Sequence, residues 1–544
     1  MAAAIRAWRK RPLTRTSRRL LTLAASLAAV ISATGIGLGG FGWHVLHASR
    51  SILSEQIEIV GLSGPVVITR DAQGTPRIVA SSRPDLARAL GFLHGQERFF
   101  EMDLMRHAGA GALSELVGRG AVLLDQRLRL HRFAQRARHL LGLQSPDDRA
   151  LLDAYSAGVN AGLHALGHPP FEYSILRVRP RDWQPADSLL VVYAMYLDLQ
   201  PSAPRAQQDR AMLRQALGPD MAAFLMPRAT PLDAPIDGSV LPAPPMPETM
   251  ALPLDHSQQA PLPVPEHGSN SFAVSGHLTA TGSAMLANDM HLALSVPNIW
   301  YRAELVQTSA HPRHLVGVTL PGEPFVISGS NGAVTWALTD GYIETGEAIR
   351  LDPVPGASNA YQTPDGPRPI TTSHEHLVVA HGASHDVPVE ETIWGPVMGR
   401  DASGVSLVWR WSAHDDNAIQ YDGFRGLEDA RSVQEGLDAA HHAGLPQQNI
   451  LLADAQGHIA WSIIGPVPDR YGVDDGLPHS WASGDHGWHG YLTPDQVPQI
   501  IDPPGGRLWT ANGRMVGGDA LRLLGDGGYA DGLRASRIRD DLYA

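Results

Sequence analysis

Gly268-Ser269-Asn270-Ser271-Phe272-Ala273-Val274-Ser275-Gly276 is the seam of this chain. On its N-terminal side, residues 229–268 hold ten prolines (231, 235, 242, 244, 245, 247, 253, 261, 263 and 265). No helix or central strand survives that density, which predicts an extended, exposed spacer. On its C-terminal side β-type runs begin: Phe272-Ala273-Val274, Ala284-Met285-Leu286-Ala287, Trp300 to Val306 and His314 to Val318. A serine that follows glycine in an exposed loop leading into a strand can be severed from its predecessor. Glycine has no Cβ to block approach to its carbonyl, and it tolerates strained backbone. Cleavage leaves Ser269 with a free α-amine beside its own hydroxyl; with an unperturbed pKa near ~7.8, that amine can serve as a base at neutral pH. Gly329-Ser330-Asn331-Gly332 repeats the tripeptide, so spacing alone leaves an ordinary Ser-Asn turn open at both places.

Composition narrows the chemistry from the other direction. The 544 residues are 43% hydrophobic, enough for a large core and two or three domains. Gly 55 and Pro 42 together exceed the usual share of roughly 12% and point to many turns and irregular connections. Cysteine is absent and the single lysine is Lys10. A cysteine nucleophile, a thiolate metal site, a disulfide, a Schiff-base lysine and a phosphate-loop lysine are therefore excluded. Covalent catalysis is left to Ser, Thr, Asp, Glu, His or Tyr. Neither G-x-S-x-G nor H-E-x-x-H occurs, and His374-Glu375-His376 and His486-x-x-His489 lack a third metal ligand in register.

Ahead of the spacer the pattern is helical. A hairpin is predicted across 57–79, then helices over 84–118, 146–165, 186–199 and 205–217; a further helical stretch covers 427–443. The first 19 residues carry seven basic residues and no acid, and Leu20 to Trp43 contain no charge. That apolar run is long enough to span a bilayer, with its basic flank on the cytoplasmic side, so export is expected. Ser17-Arg18-Arg19-Leu20-Leu21 also resembles a twin-arginine signal, and retention as a membrane anchor or removal as a signal peptide both stay open. The net charge is −12 despite that basic leader, so the body is acidic and nucleic acid is not an expected partner. The implied segments are a leader (1–49), a helical part (50–228), the spacer (229–268) and a β-rich part (269–544).

A set of short blocks, in order, resembles the penicillin acylase family of N-terminal nucleophile hydrolases. They are Ser269-Asn270, Val274-Ser275-Gly276, Leu286-Ala287-Asn288-Asp289-x-His291-Leu292, Trp300-Tyr301, Leu320-Pro321-Gly322, Gly329-x-Asn331 and Thr335-Trp336-Ala337-Leu338-Thr339. Pro446-x-Gln448-Asn449, Ala453-Asp454, Gly457-x-Ile459 and Gly465-x-Val467-Pro468-x-Arg470 continue the set. Upstream, Arg70-Asp71-x-x-Gly74-x-Pro76, Gln96-Glu97-Arg98 and Trp183-x-Pro185-x-Asp187 look like the family's α chain. The resemblance implies an α+β fold, a four-layer αββα sandwich with a helical α-chain segment wrapping the β segment. It also implies an exported amidohydrolase in the periplasm or on the periplasmic face of the inner membrane, matured from one precursor into an α/β heterodimer. Its substrates would be small N-acylated amines: β-lactams, acyl-homoserine lactones or acylated peptides.

Residue by residue, the resemblance makes Ser269 the nucleophile, freed by scission of Gly268–Ser269. It sets His291 beside the new amine, makes the Leu338 N–H and the Asn449 amide the oxyanion donors, and makes Arg470 the arginine that orients them. Bland alternatives stand beside three of these: a structural histidine, a core leucine and a surface ion-pairing arginine. Met195, Phe325 and Val326 are candidates for lining the acyl pocket. The chemistry needs no cofactor. A structural calcium stays open, with Glu344, Glu347 and the Thr345 carbonyl in the loop after the oxyanion strand and Gln207 where an acid is expected. Relatives continue past Arg534-x-x-Arg537-Ile538 with a helical tail, which leaves the completeness of the core open. Two other functions compete: an uncut, non-catalytic exported binding protein of the same fold, and a serine esterase using Ser330.

Overall fold

A computed structural model describes residues 14–200, 203–247 and 268–544. Most of the basic leader residues and the distal spacer prolines lie outside the described residues. The chain divides into two compact units, one reaching to Gln56 together with His164–Pro180, the other comprising Ile57–Leu163 and Arg181–Ala544.

In the first unit, helix α1 (Arg15–Ala48) starts at Thr14, whose side chain accepts the Ser17 N–H. Only Val45 is buried along it, and its mean hydropathy of 1.9 makes it long and apolar enough to cross a membrane. The Ala48 carbonyl accepts the His168 N–H at 3.0 Å.

The second unit is a mixture of helices and sheets, α+β in class. Among the described residues it holds five sheets, the largest of nine strands. The predicted hairpin, β1 (Val67–Arg70) and β2 (Pro76–Ala80), forms one edge and joins the rest by a parallel pairing to β5 (Tyr301–Gln307). The order continues antiparallel through β6 (Arg313–Thr319), β7 (Val326–Ser330), β8 (Val334–Asp340), β9 (Gln448–Asp454), β10 (Ile459–Ile464) and β11 (Gln499–Ile501). Every residue of β10 is buried, as expected of a strand covered on both faces. A three-stranded sheet places β3 (Gly268–Val274) between β4 (Met285–His291) and β12 (Arg507–Thr510). Ala273 and Leu508 of this sheet share one apolar cluster with Ala337, Leu451 and Trp461 of the larger one. Thr339 and Thr510 join across the two sheets, hydroxyl to hydroxyl, at 2.9 Å.

Helices pack against the strands. Helix α2 (Arg83–Glu97) begins where the Ser82 hydroxyl accepts the Asp85 N–H, with Pro84 in its first turn. It buries Leu86, Leu90 and Leu93, and His94 reaches Thr319 of β6 at 3.1 Å. Helix α3 (Pro146–Ala165) packs against it backbone to backbone, since a Cβ at Gly91 would lie 2.3 Å from the Tyr155 carbonyl oxygen and one at Gly158 would lie 1.9 Å from that of Arg88. Helices α4 (Pro185–Leu199) and α5 (Ala203–Leu217) complete the front half. Helix α6 (Leu533–Tyr543) lies against β12, where Ala535 packs with Trp509.

Three expectations change. The helix predicted over 84–118 breaks at Arg98 (φ −138°), resumes over Phe99–Ala110 and stops at Gly111 in the left-handed conformation. The stretch 427–443 is two helices, Asp422–Asp429 and Val433–Ala440, the second capped by Ser432. The start of the spacer is non-helical but docked rather than exposed. Ala234 is buried and its carbonyl accepts the Trp509 indole N–H at 2.8 Å, while Asp233 and Ser239 pair with Arg514. Proline forbids a helix there without forbidding contact.

Candidate active site

Strand β3 is central in its sheet, so both edges of its first residues are taken. Ser269 pairs with Met290 on one side, and beyond the end of β12 the chain turns at Asn512 on the other. Asn512 adopts a positive φ of 66°, tolerated by Asn better than by most residues, and this turns its amide onto the serine. Its Oδ1 accepts the Ser269 N–H at 2.7 Å, and its Nδ2 donates to Ser269 Oγ at 3.0 Å and to the Asp340 carbonyl at 3.1 Å. Asp340 ends β8, and its backbone N–H donates to Ser269 Oγ at 3.3 Å. The hydroxyl oxygen of a buried serine thus accepts two N–H donors. Negative charge appearing near it is therefore met by fixed dipoles in a dry site.

Asn449 stands one step behind. Fully buried on β9, it donates to the Asp340 carbonyl at 3.2 Å, and its Oδ1 is held by the Trp461 indole N–H at 2.9 Å. Leu338 is buried, and its N–H faces Asn288 Oδ1 at 3.4 Å rather than the serine. Asn288 Nδ2 in turn donates to the carbonyls of Asn270 and Leu338, both at 3.0 Å. The backbone donor that meets the Ser269 hydroxyl is therefore that of Asp340, two residues beyond Leu338 and on the same face of the strand.

Gly268 pairs with His291 across β3 and β4. The His291 ring is partly exposed, with Nδ1 3.1 Å from Asp289 Oδ2. Arg534, at the start of α6, donates from Nη1 to the Ser269 carbonyl and to Asn270 Oδ1, both at 2.7 Å, and from Nη2 to Asn512 Oδ1 at 2.9 Å. Burial lowers the pKa of this guanidinium. Burial also pushes the Asp340 carboxyl up to about 8, against the N–H groups of Tyr342 and Gly341, and its Oδ2 meets no partner among the described residues.

The other candidates make contacts of their own. Arg470 donates to Glu344 Oε2 at 2.9 Å and to the Arg522 carbonyl, away from Ser269. Phe325 stacks on Tyr421 and Phe424 at 5.1 and 5.7 Å, inside the core. The Val326 carbonyl accepts the Trp336 indole N–H, and Met195 is buried on α4. Ser330 donates to the Val334 carbonyl within its own turn. Asp340, Asn512 and Arg534 bond to Ser269, and Asn288 to its neighbour Asn270; spacing did not single these four out, although Asn288 stands inside one of the quoted blocks.

Of the residues proposed around calcium, Gln207 and Glu344 bond to each other, and Thr345 and Glu347 are taken by other partners. Gln207 turns its Nε2 to Glu344 Oε1 at 2.7 Å, and its Oε1 accepts the Ala348 N–H. Arg470 takes the other Glu344 oxygen, the Thr345 carbonyl accepts the Ser412 N–H, and Glu347 accepts the Trp488 indole. A guanidinium and an amide N–H stand where a cation would need oxygens, so this donor set does not fit calcium. Among the described residues no group of three or more His, Cys, Asp or Glu could hold a metal.

The sequence profile described as penicillin amidase matches residues 65–544. Penicillin acylase 2 proenzyme from Pseudomonas sp. (strain SE83) is 30% identical over 517 residues, covering 92% of this chain and 65% of the relative. Acyl-homoserine lactone acylase QuiP from Pseudomonas aeruginosa is 29% identical, covering 84% of this chain and 56% of that protein. Penicillin G acylase from Escherichia coli is 22% identical, covering 82% and 59%. The solved thermostable penicillin G acylase from Alcaligenes faecalis superposes with a TM-score of 0.42 at 22% identity, over 48% of this chain and 46% of that one. This chain spans 56% to 65% of the length of the three curated relatives named. With the profile matched from the first strand to the last residue, the chain belongs to the penicillin amidase family.

Proposed function

We propose that the chain is an exported, self-processing amidohydrolase that cleaves N-acylated amines through an ester on Ser269. The observation that carries this is the Ser269 hydroxyl, one residue after Gly268, accepting both the Asp340 N–H and the Asn512 amide. In maturation, Ser269 Oγ loses its proton and bonds to the Gly268 carbonyl carbon. The peptide nitrogen takes a proton and leaves, and water hydrolyses the resulting ester. The products are a Gly268 carboxylate and a Ser269 that carries both hydroxyl and α-amine.

In turnover the α-amine removes the Oγ proton as Oγ attacks the substrate amide carbon. The oxyanion is met by the Asp340 N–H together with the Asn512 or Asn449 amide, and the amine returns the proton to the leaving nitrogen. A second round with water frees the acid. None of these steps uses a metal, and the Gln207–Glu344–Arg470 group is read as a joint between the helical and β segments.

Helix α2 on one face, the two stacked sheets, and α6 behind β12 support a four-layer αββα arrangement. Helix α1 supports export with either a retained or a cleaved leader. The experiment is amine release from a panel of N-acylated amines by the purified full chain. Release is expected from the wild type and loss from Ser269→Ala; equal release by both would overturn the assignment.

A further inference from the structure

Arg534 differs from the interior arginines that pair with acids. Arg106 pairs with Asp103 and Asp187, Arg470 with Glu344, and Arg514 with Asp233. The Arg534 guanidinium has no carboxylate within 4.0 Å among the described residues; its three hydrogen bonds go to neutral oxygens, those of Ser269, Asn270 and Asn512. Asp531 and Asp289, the latter also paired with His291 Nδ1, act on it only from beyond ion-pair distance; a half-buried cation held beside the nucleophile without a bonded anion is costly to keep unless one visits it. Its Nη2 spends one hydrogen on Asn512 and meets no other acceptor among the described residues.

What fills the space beside it is Gly268. A Cβ on Gly268 would lie 3.1 Å from Arg534 Nη2 and 2.7 Å from His291 Nε2, so the glycine occupies a gap between guanidinium and imidazole. Scission at Ser269 removes Gly268 and leaves that gap open, directly beside the new α-amine. The amine must hand its proton to the leaving nitrogen, so the leaving amine binds within hydrogen-bond reach of the atom to which Gly268 was attached. The first substituent on the leaving nitrogen then falls where the glycine stood.

The geometry points to a carboxylate cradle formed by Arg534 and His291 on the leaving-group side of Ser269, selecting N-acylated amines whose amine part carries a carboxylate next to the amide nitrogen. A guanidinium with free N–H groups is the natural partner for a carboxylate, and a neutral lactone or amide offers it less. This inference rests on the amidohydrolase reading and goes beyond it by separating N-acyl amino acids and other carboxylate-bearing amides from substrates with uncharged amine parts.

The test compares the matured full chain on N-acylglycine and N-acylglycinamide, with the acyl chain matched and chosen as the one the wild type turns over fastest. The wild type should favour the carboxylate in kcat/KM by about tenfold or more, mainly through KM. Arg534→Gln should bring that ratio to within about twofold while kcat falls for both substrates, because its contacts to Ser269 and Asn512 are also lost; Arg534→Lys should retain part of the preference. If Arg534→Gln does not mature, inhibition of the wild type by glycine against glycinamide reads the same cradle, with glycine expected to inhibit more strongly. Equal kcat/KM for the two substrates in the wild type, equal inhibition by the two amines, or a ratio untouched by Arg534→Gln overturns the cradle and leaves the amidohydrolase intact. A chain cut at Ser269 that turns over no N-acylated amine overturns both.

Discussion

At the scale of single residues, the site is organised around Asp340 as much as around Ser269. Its N–H faces the serine hydroxyl, and its carbonyl gathers the amides of Asn449 and Asn512. Its own carboxyl, pushed up to about 8 by burial, is neutral at pH 7. Asp198, Tyr342 and the N–H groups of Gly341 and Tyr342 are the groups that act on it. Above its pKa an anion stands beside the place where the oxyanion develops, so kcat/KM should fall on the alkaline side of pH 8. Asp340→Asn is neutral at every pH and should move that limb upward; an unmoved limb would exclude Asp340 as its origin. Removing one oxyanion-type donor costs ~10²–10³ in rate, and Asn512→Ala should fall in that range, read as kcat on folded, matured protein. Ser269 and His291 were legible because they stand within blocks of local sequence. Asn512 was not, because it reaches Ser269 through strand pairing across 243 positions and no local pattern carries that register.

At the scale of elements, sequence periodicity marked the helices whose buried faces are leucine-rich, such as α2, and the alternating strands β5 and β6. It ran through Arg98 because the apolar spacing continues into the next helix, while the break is set by the backbone of one residue. It also predicted a wholly exposed spacer, where acids and a small alanine instead find Arg514 and Trp509. The loop after β8 is where the resemblance implies calcium and the donor set does not fit it. Glu344 lies between Gln207 and Arg470, and burial pushes its carboxyl up against the pull of that arginine. Chelator should leave both melting temperature and turnover unchanged. Arg470→Met, which strands a buried carboxylate, should lower stability by ~3 kcal/mol, measured by denaturant unfolding. A melting temperature that drops with chelator and is restored by calcium would reverse this reading.

At the scale of the whole molecule, the absence of cysteine and the single lysine in the leader leave the chain without a ready nucleophile or amine base. In the proposed maturation the amine comes from cutting the backbone at Ser269. Helix α1 is long and apolar enough to cross a membrane and buries only Val45, which is compatible with a signal sequence or an anchor. Deleting residues 1–43 leaves out the apolar run while retaining Val45 and Ala48, and should give a soluble protein without loss of turnover, whereas a full chain that retains its leader should sit in the membrane fraction. Fractionation with activity assay checks both halves. The central claim is the birth of an N-terminal serine, and intact mass with N-terminal sequencing of the purified chain tests it most directly. The account predicts a fragment of residues 269–544 beginning at Ser269 in the wild type and a single uncut chain for Ser269→Ala. A folded wild type that stays in one piece, or a cut at any other bond, would contradict it.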